Sequence, residues 1–254
     1  MHILEVTGLK KTYTTRFGGN KVEALKNVTF SVAQGEYVAI MGESGSGKTT
    51  LLNILAALDK PTGGKVLLDG VDLSEIKESE VAAFRRDNLG FVFQDFKLLD
   101  TFSLQDNIFL PLVLAGKPYK EMQVCLDPIA QKLGIADILK KYPYEVSGGQ
   151  KQRAAVARAL ITNPRLVLAD EPTGALDSKA TDELLRLFRD INRGGQTILM
   201  VTHSVKAASH AERVLFIKDG EVFHQIYRGE STNEQLYQKI SDTLTMLATG
   251  GERK

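Results

Sequence analysis

Apolar residues along the chain form short continuous runs that are separated by longer segments of helical periodicity. The runs lie at residues 37–41, 91–93, 166–169 and 198–201. Runs this short, without polar gaps, are typical of strands that are buried on both faces of a sheet. Strands that alternate with helical segments predict an α/β fold around a parallel sheet.

Two regions depart from this alternation. Near the start, residues 3–6 and 28–32 alternate apolar and polar positions, and the turn signal Gly18-Gly19-Asn20 lies between them. This pattern predicts an antiparallel β region. Residues 103–163 form successive helical segments with no strand pattern between them, which indicates an inserted helical subdomain.

The C-terminal part of the chain predicts a helix, a hairpin and a tail helix. Residues 179–193 follow the capping pair Asp177-Ser178 and have helical apolar spacing that ends at Gly194-Gly195. Residues 214–217 and 222–226 flank the hairpin signal Lys218-Asp-Gly220. In the tail, the capping box Ser231-Thr-Asn-Glu234 precedes apolar residues on one helical face, namely Leu236, Ile240, Leu244 and Leu247. We therefore expect a composite domain over residues 1–226 and a helical tail over residues 227–254.

Composition narrows the class of protein. The chain has 254 residues, of which 43% are hydrophobic and 25% charged, a balance typical of globular domains. Its formal charge of +1 supplies no field that would attract a nucleic acid, so we expect no nucleic-acid partner. The single cysteine, Cys125, excludes an internal disulfide, and the N-terminus has no signal pattern, which favours the cytoplasm. The longest apolar stretch, residues 109–115, contains Pro111 and is far shorter than the roughly 20 residues that a membrane span needs.

The motif Gly42-Glu-Ser-Gly-Ser-Gly-Lys-Thr49 stands between a predicted strand and a predicted helix. This is the P-loop pattern in its required context, whereas a plain glycine-rich turn would explain neither the lysine nor the hydroxyl group. Glycines let backbone N–H groups approach a phosphate, and the helix N-terminus adds partial positive charge. Lys48 would reach the β- and γ-phosphates, and Thr49 would hold Mg²⁺. The expected ATP-binding residues here are Gly42, Ser44, Gly45, Gly47, Lys48, Thr49 and Thr50.

Two acidic residues, Asp170 and Glu171, follow the apolar run at 166–169. Their carboxylates would emerge at the carboxyl edge of the sheet, where open α/β folds bind ligands. Asp170 is a candidate Mg²⁺ ligand, directly or through water. Glu171 is a candidate general base for the water that attacks the γ-phosphate. The alternative is a pair of solvated acids before the turn-forming Pro172.

The segment Ser147-Gly148-Gly149-Gln150 opens a predicted helix. By itself it is a capping box, but its glycines and helix N-terminus also suit a second phosphate cradle. Two cradles are redundant for one nucleotide unless each faces a different copy of the chain. A two-fold symmetric homodimer would use both cradles on every ATP.

Together with the P-loop, four further motifs resemble the nucleotide-binding subunit of an ABC transporter: Val146-Ser-Gly-Gly-Gln150, Leu166-Val-Leu-Ala-Asp-Glu171, Gly174-Ala-Leu-Asp177 and Thr202-His203. Their order and spacing match over residues 3–226. The resemblance implies a P-loop NTPase with an ABC-type core, a parallel sheet, an antiparallel β subdomain and an inserted α-helical subdomain. It also implies ATP hydrolysis with Mg²⁺ in a homodimer of ATPase subunits. Such a dimer would be cytoplasmic and peripheral on the inner face of the cell membrane, against a membrane permease.

The resemblance also implies roles for single residues. Tyr13 would stack on adenine, although it can also be an ordinary aromatic residue at a strand end. Gln94 would contact Mg²⁺ and relay the nucleotide state to the permease, and His203 would contact the γ-phosphate. Asp177 would contact ATP across the dimer, a role compatible with capping the next helix. The expected catalytic residues are thus Lys48, Glu171 and His203, the metal ligands are Thr49, Gln94 and Asp170, and Tyr13, Gln94, Ser147, Gly148, Gly149, Gln150 and Asp177 join the P-loop in binding ATP.

A narrower resemblance comes from Phe93-Gln-Asp-Phe-Lys-Leu-Leu-Asp100, Ile108-Phe-Leu-Pro-Leu112 and Phe216-Ile-Lys-Asp-Gly220. They are similar to the exporter group that includes macrolide and lipoprotein-releasing systems. Met200-Val-Thr-His203 and the helical tail are similar to bacitracin- and lantibiotic-resistance ATPases. This implies export of, or resistance to, antimicrobial peptides, with a sensor kinase as a partner through the permease. Glu43 departs from the small residues frequent at that variable position of the P-loop.

Alternatives stay open at this stage. The chain can instead be a lipoprotein-release or macrolide-type ATPase, or a non-transport ATPase of assembly or cell division. A chromosome-type ATPase is disfavoured because the segment between Gln94 and Ser147 holds no long coiled coil. The apolar residues after Gln94 either line a groove for a permease helix or pack the helical subdomain, and they are Phe96, Leu98, Leu99 and Phe102.

Overall fold

The computed structural model describes residues 1–14, 19 and 21–248, so Gly18 and Asn20 of the predicted turn lie outside the described residues. The N-terminal half contains β1 (His2–Thr14), β2 (Lys21–Ala33), β3 (Tyr37–Gly42), α1 (Lys48–Leu55), β4 (Gly63–Leu68), β5 (Val71–Asp72), α2 (Glu78–Asn88), β6 (Leu89–Phe93) and α3 (Leu104–Leu114). The C-terminal half contains α4 (Tyr119–Leu133), α5 (Gly148–Leu160), β7 (Leu166–Asp170), α6 (Ser178–Arg193), β8 (Ile198–Val201), α7 (Val205–Ala208), β9 (Arg213–Lys218), β10 (Glu221–Tyr227) and α8 (Asn233–Ala248). Two short 3-10 helices lie at Ala136–Ile138 and Pro143–Glu145.

The strands form one sheet in the order β5-β4-β1-β2-β10-β9-β3-β8-β7-β6. Strands β9, β3, β8, β7 and β6 are parallel neighbours, while β1, β2, β4 and β5 pair antiparallel. The prediction of an α/β fold with a parallel core and an antiparallel β region is therefore confirmed. Asp170 pairs with Phe93 on one side and Val201 on the other, so β6, β7 and β8 end at the same edge.

The seam between the two parts of the sheet is narrow. Strands β2 and β10 share the single ladder pair Asn27 and Glu221. The carbonyl of Gly220 accepts from Lys26 N at 2.9 Å, and Gly220 N donates to Ser46 O at 3.2 Å. The turn before β10 therefore ties β2 to the loop that follows β3.

The core of the described structure covers both faces of the sheet. On β3, Tyr37, Ala39 and Met41 face one hydrophobic cluster together with α3 to α6, whereas Val38 and Ile40 face a second cluster. This two-sided burial is the reason why β3 is apolar at successive positions.

Several local predictions match the structure. Asp177 Oδ1 accepts from Ala180 N at 2.8 Å at the start of α6, and the helix ends at Gly194. Strands β9 and β10 form the predicted hairpin, with positive φ at Asp219 (50°) and Gly220 (78°). Between Leu104 and Leu160 the described residues form α3, α4, the two 3-10 helices and α5, with no strand. No helix of the described chain combines the length and the apolar character needed to cross a bilayer.

The start of the tail helix differs from the prediction by one residue. Thr232 N donates to Gln235 Oε1 at 2.9 Å, and Gln235 N donates to Thr232 Oγ1 at 3.2 Å, so the capping box begins at Thr232 rather than Ser231. Ser231 N already donates to Arg228 O at 3.0 Å in the turn before the helix, so it is not available to the Glu234 carboxylate. Leu236 and Ile240 are buried, as the pattern predicts.

Candidate functional site

Two glycines of the loop from Gly42 to Lys48, Gly42 and Gly47, leave no room for a side chain. A Cβ at Gly42 would lie 2.2 Å from Ile217 O, and a Cβ at Gly47 would lie 2.5 Å from Ala24 O. Gly47 also has a φ of 101° and occupies the N-cap of α1. The backbone is therefore held tightly between β2, β9 and α1, with its amides at the start of a helix.

A pocket at the carboxyl edge of the sheet brings most of the predicted residues together. Its lining combines loop residues with residues that follow β7 and β8, and consists of Ala24, Ser44, Gly45, Gly47, Lys48, Thr49, Thr50, Asp170, Glu171, Val201 and His203. Gly42 lies at the base of the loop, at the end of β3. Residues far apart in sequence thus meet because β3, β8 and β7 are adjacent and parallel.

Lys48 is the main cation of this pocket. It is only 6% exposed, and its ammonium group donates to Gly42 O at 2.8 Å and Glu43 O at 2.7 Å. An ammonium group has three N–H donors, so these two carbonyls leave one for an anion in the pocket. Burial lowers the pKa of Lys48, while the charges of Glu171 and Asp170 raise it.

Asp170 and Glu171 place two carboxylates side by side in the same pocket. Burial and the charge of Glu171 raise the pKa of Asp170, and His203 and Lys48 offset part of that shift. Two carboxyl groups thus share the pocket with the Lys48 ammonium group and the imidazole of His203. Carboxylate oxygens are preferred Mg²⁺ ligands, so this donor set fits that ion.

Glu171 is held in an unusual backbone conformation. Its φ is 44°, in the left-handed region, and its amide donates to Val201 O at 2.9 Å. Thr202 Oγ1 donates to Glu171 Oε2 at 3.1 Å. Glu171 Oε1 is buried without a hydrogen bond, and His203 Nε2 lies 3.4 Å from it. One carboxylate oxygen is thus fixed, and the other is left to act as an acceptor.

Tyr13 and Gln94 are among the predicted residues that lie outside this lining. Tyr13 donates its hydroxyl to Asp59 Oδ2 at 2.8 Å, with Lys11 Nζ 4.9 Å from the ring centroid. Gln94 follows β6 and packs beside Gly174, where an added Cβ would lie 2.8 Å from Gln94 Cδ. Tyr13 therefore lies on β1 and Gln94 lies in the turn after β6, and their contacts with nucleotide or metal stay predictions.

The second predicted cradle is separate from the first within one protomer. Ser147 and Gln150 form the capping box of α5, with Ser147 N donating to Gln150 Oε1 at 2.9 Å. Gly148 lies near Leu176, and an added Cβ on Gly149 would be 3.1 Å from Ala180 Cβ. The described residues that line the P-loop pocket include neither residues 147–150 nor Asp177. Both caps are observed, and the ligand roles of these residues stay predictions.

The apolar residues after Gln94 divide between packing and exposure. Leu98 packs against the hydrophobic cluster that contains α3 and α5, whereas Leu99 and Phe102 are exposed. A mostly apolar groove lies nearby, between β6 and α3. Its apolar lining includes Leu58, Leu89, Phe91, Phe93, Leu110, Pro111, Leu114 and Ala159. Four basic residues border it, namely Arg85, Arg86, Lys97 and Arg158.

Comparison with known proteins decides the family. The family model described as ABC transporter matches residues 25–174, more than half of the chain. The chain belongs to the ABC transporter family. As an ABC ATPase, it is the ATP-binding and ATP-hydrolysing subunit of a transporter, which confirms the resemblance seen in its motifs.

Relatives of this ABC ATPase cover nearly its whole length. It is 51% identical to the uncharacterised ABC transporter ATP-binding protein YvcR of Bacillus subtilis, over 99% of this chain and 96% of YvcR. It is 46% identical to the bacitracin export ATP-binding protein BceA of Halalkalibacterium halodurans, over 97% of each chain. Among solved structures, the dimeric ATP-binding cassette MJ0796 bound to ADP and Pi matches with a TM-score of 0.79 and 38% identity, over 88% of this chain and 98% of MJ0796.

Three residues of the site escaped the sequence analysis. Ala24 presses against Gly47 from β2, and Thr202 binds Glu171 from the end of β8. Gln152, on α5, is 0% exposed and donates to two backbone carbonyls near the pocket. Of the three, only Thr202 could have been identified from the sequence, because it stands beside His203 in one of the motifs.

Proposed function

We propose that this ABC ATPase hydrolyses ATP with Glu171 as the general base. The supporting observation is the unequal state of its two carboxylate oxygens, since Oε2 is held by Thr202 and Oε1 is buried without a hydrogen bond. Oε1 would accept a proton from water while the water oxygen attacks the γ-phosphorus and ADP leaves with the bridging oxygen. Lys48 would stabilise the charge on the phosphates, and His203, adjacent to Oε1, would contact the γ-phosphate.

We further propose that ATP binds with Mg²⁺. Asp170 and the hydroxyl of Thr49 lie in the same pocket and would hold the ion, with Gln94 reaching it from the end of β6. The bound ion would neutralise charge on the β- and γ-phosphates. The presence of a carboxyl group and a hydroxyl group in one pocket, both oxygen donors that suit Mg²⁺, supports this assignment.

The separation of the two cradles supports a homodimer. Ser147, Gly148, Gly149, Gln150 and Asp177 would complete the nucleotide site of a second copy, because they do not reach the P-loop of their own chain. The MJ0796 relative is a dimer bound to ADP and Pi, which supports the same arrangement here. In such a dimer Tyr13 would stack on the adenine.

Two substitutions test the proposed hydrolysis. Lys48→Ala should lower ATPase turnover by at least about 100-fold, because the transition state loses a donor. Glu171→Gln should slow hydrolysis by about 10²–10⁴-fold and still bind ATP, because it removes only the base. Gel filtration with ATP should show a stable Glu171→Gln dimer. A variant that stays monomeric and active would refute both the base and the dimer.

The partner proposed for this dimer is a membrane permease, which would hold the ATPase at the inner face of the membrane. The apolar groove between β6 and α3 suits a short amphipathic helix of such a permease. The sensor kinase that we propose as a further partner would contact the permease. Co-purification tests this, since a polytopic membrane protein supports transport and a soluble partner supports an assembly role.

For the substrate, we propose peptide antibiotics of the bacitracin or lantibiotic class. The bacitracin export relative, 46% identical over nearly the whole chain, supports this. A macrolide-type role is the alternative, since the macrolide export protein MacB of Shewanella sp. is 43% identical over 87% of this chain, which spans 33% of that longer protein. Deletion of the chain in its host should sensitise cells to bacitracin and spare macrolide resistance. The reverse pattern would favour the alternative.

A further inference from the structure

Gln152 is a buried polar residue to which the proposed hydrolysis gives no role. It lies on the second turn of α5, the helix that Ser147 caps, and its side chain is 0% exposed. Its Nε2 donates to Phe93 O at 3.2 Å and to Pro172 O at 2.7 Å. These carbonyls immediately precede Gln94 and immediately follow Glu171, so one amide group connects α5 to two parts of the site.

The orientation of the Gln152 amide is determined by these contacts. Both neighbours are carbonyl oxygens, which accept hydrogen bonds and cannot donate them. The reversed amide would place Oε1 against both carbonyls, so only the Nε2 assignment satisfies the pair. Oε1 is buried without a partner, which is an unfavourable state for a buried acceptor. Gln152 therefore holds the two carbonyls through Nε2 although its Oε1 has no hydrogen-bond partner.

The backbone that it holds is strained. Glu171 has a φ of 44°, a conformation that residues other than Gly, Asn and Asp rarely adopt. Strained residues persist where several contacts fix them together. Here the contacts are Glu171 N to Val201 O, Gly174 N to Glu171 O, both at 2.9 Å, and the bond from Gln152 to Pro172 O. Of these three contacts, the last is the one made by a side chain, that of Gln152 on α5.

A second residue of α5, Arg158, contacts the turn that contains Gln94. The guanidinium of Arg158 donates to Phe96 O at 2.8 Å and to Lys97 O. Phe96 and Lys97 both have left-handed backbone, with φ of 59° and 49°. The turn that contains Gln94 is therefore tied to α5 on both sides, by Gln152 before it and by Arg158 after it.

We propose that Gln152 is a positioning residue that keeps the Glu171 carboxylate and the Gln94 turn in fixed register with α5. The inference rests on the proposed role of Glu171 as the base. Because α5 also begins at the second cradle, a shift of that cradle would move the Pro172 carbonyl through the Gln152 amide. Gln152 would then act on turnover rather than on ATP affinity.

A matched pair of substitutions tests this in the full chain. Gln152→Leu removes the donor and keeps an apolar side chain of similar volume. Asn192→Leu is the control, because Asn192 is 8% exposed and its Nδ2 likewise donates to two carbonyls, Gly35 O at 2.7 Å and Gln196 O at 3.0 Å. Gly35 precedes β3, so the control lies at the opposite end of the sheet from the pocket.

Both variants should lower Tm, whereas only Gln152→Leu should change turnover. We expect its kcat to fall by about 10- to 100-fold, because small misplacements of catalytic groups cost up to about 100-fold. The Kd for a fluorescent ATP analogue should change by less than about twofold, since the P-loop contacts are untouched. Equal kcat losses in the two variants at equal folded fraction would overturn the proposal.

Gln152→Glu gives a second, independent readout if the leucine variant does not fold. A protonated carboxyl can donate one hydrogen bond to Pro172 O or Phe93 O, whereas the ionised form repels both. The ratio of its kcat to that of the wild type should rise as pH is lowered through the pKa of the introduced carboxyl, which burial raises above its ordinary value. A ratio that stays constant while that carboxyl is titrated would contradict a positioning role. Turnover retained by Glu171→Gln would instead refute the proposed base, so the two failures are distinguishable.

Discussion

Thr202 and Glu171, which follow adjacent parallel strands, are joined by a hydrogen bond of 3.1 Å from Thr202 Oγ1 to Glu171 Oε2. Thr202 is 0% exposed, and its Oγ1 also accepts from Ser204 N at 3.0 Å. The hydroxyl therefore fixes the candidate base and the backbone after His203 at the same time.

Thr202→Val should lower kcat by roughly tenfold, because a released carboxylate spends less time oriented toward the attacking water. ATP affinity should be nearly unchanged, since the P-loop is intact. Thr197→Val is the control, because buried Thr197 Oγ1 accepts from Gly35 N at 2.9 Å at the opposite end of the sheet. Steady-state ATPase kinetics check this, and equal kcat values for the two variants would contradict the orienting role.

Gly47→Ala should disrupt the P-loop. The added Cβ would lie 2.5 Å from Ala24 O and 2.7 Å from Leu25 Cδ2, at a φ of 101°. We expect ATP affinity to fall by about 100-fold, a loss of about 3 kcal/mol. Gly45→Ala is the control, since Gly45 has positive φ but no atom within 4 Å of an added Cβ. Its loss should stay near tenfold, the cost of left-handed strain alone. Titration of a fluorescent ATP analogue measures both, and similar losses would mean that strain rather than contact with β2 governs the loop.

The buried ion pair between Arg213 and Glu36 should be important for stability. The Arg213 side chain is 8% exposed, its Nε lies 2.7 Å from Glu36 Oε1, and its guanidinium also donates to Ser31 O. Arg213→Met should cost about 3–5 kcal/mol, because it leaves the Glu36 charge buried and unpaired. Asp69→Asn breaks the more exposed pair with Arg165 (3.4 Å) and should cost less than about 1 kcal/mol. Urea unfolding compares them, and equal costs would be inconsistent with the buried character of the first pair.

His210 should make the fold sensitive to acid. Burial, together with the charges of Arg189, Arg228 and Lys206, lowers the pKa of His210 from 6.5 to about 4, and Asp182 offsets only part of this. The unfolded chain therefore takes up a proton near pH 6.5, whereas the folded chain does not until about pH 4. The contribution of His210 to stability is complete above pH 6.5 and is lost as pH falls from about 6.5 to about 4.

The pH dependence can be assigned by substitution. His210 Nε2 lies 3.3 Å from Asn233 Nδ2 at the start of α8, so a proton on Nε2 would oppose the amide donor. The free energy of unfolding should decrease from pH 7 to pH 5 more steeply in the wild type than in His210→Gln. Denaturant unfolding at the two pH values measures the difference. The same slope in both proteins would exclude His210 as its source.

The sequence predicts well those elements whose buried positions follow a simple pattern along the chain. β8 is covered on both faces and paired on both edges, so its four residues are all apolar and all buried. α2 was not indicated, because none of its residues is buried and no apolar stripe marks it. At the tail, Ser231-Glu234 and Thr232-Gln235 offer equivalent local caps. The turn before the helix decides between them, because Ser231 N already donates to Arg228 O.

The site was predictable where its residues are contiguous. The P-loop carries its glycines, lysine and hydroxyl group in one segment, and Asp170 and Glu171 follow directly from a strand that ends at the sheet edge. Ala24, Thr202 and Gln152 instead reach the site through sheet order and helix packing. Strand order cannot be read from a single sequence, so contacts such as Ala24 against Gly47 become visible only in three dimensions.

The narrow seam beside Gly220 is where we expect bound nucleotide to reduce local opening of the backbone most. Lys26 N is held by Gly220 O, and Gly220 N is held by Ser46 O within the P-loop. A ligand that immobilises the P-loop would therefore also stabilise the junction where one ladder pair joins β2 to β10. Amide hydrogen exchange at Lys26 and Gly220 should slow on ATP binding far more than exchange within β8, whose amides are already sealed by strands on both sides. Bound nucleotide would thus stabilise the junction between the two parts of the sheet, which a single ladder pair joins in the chain alone.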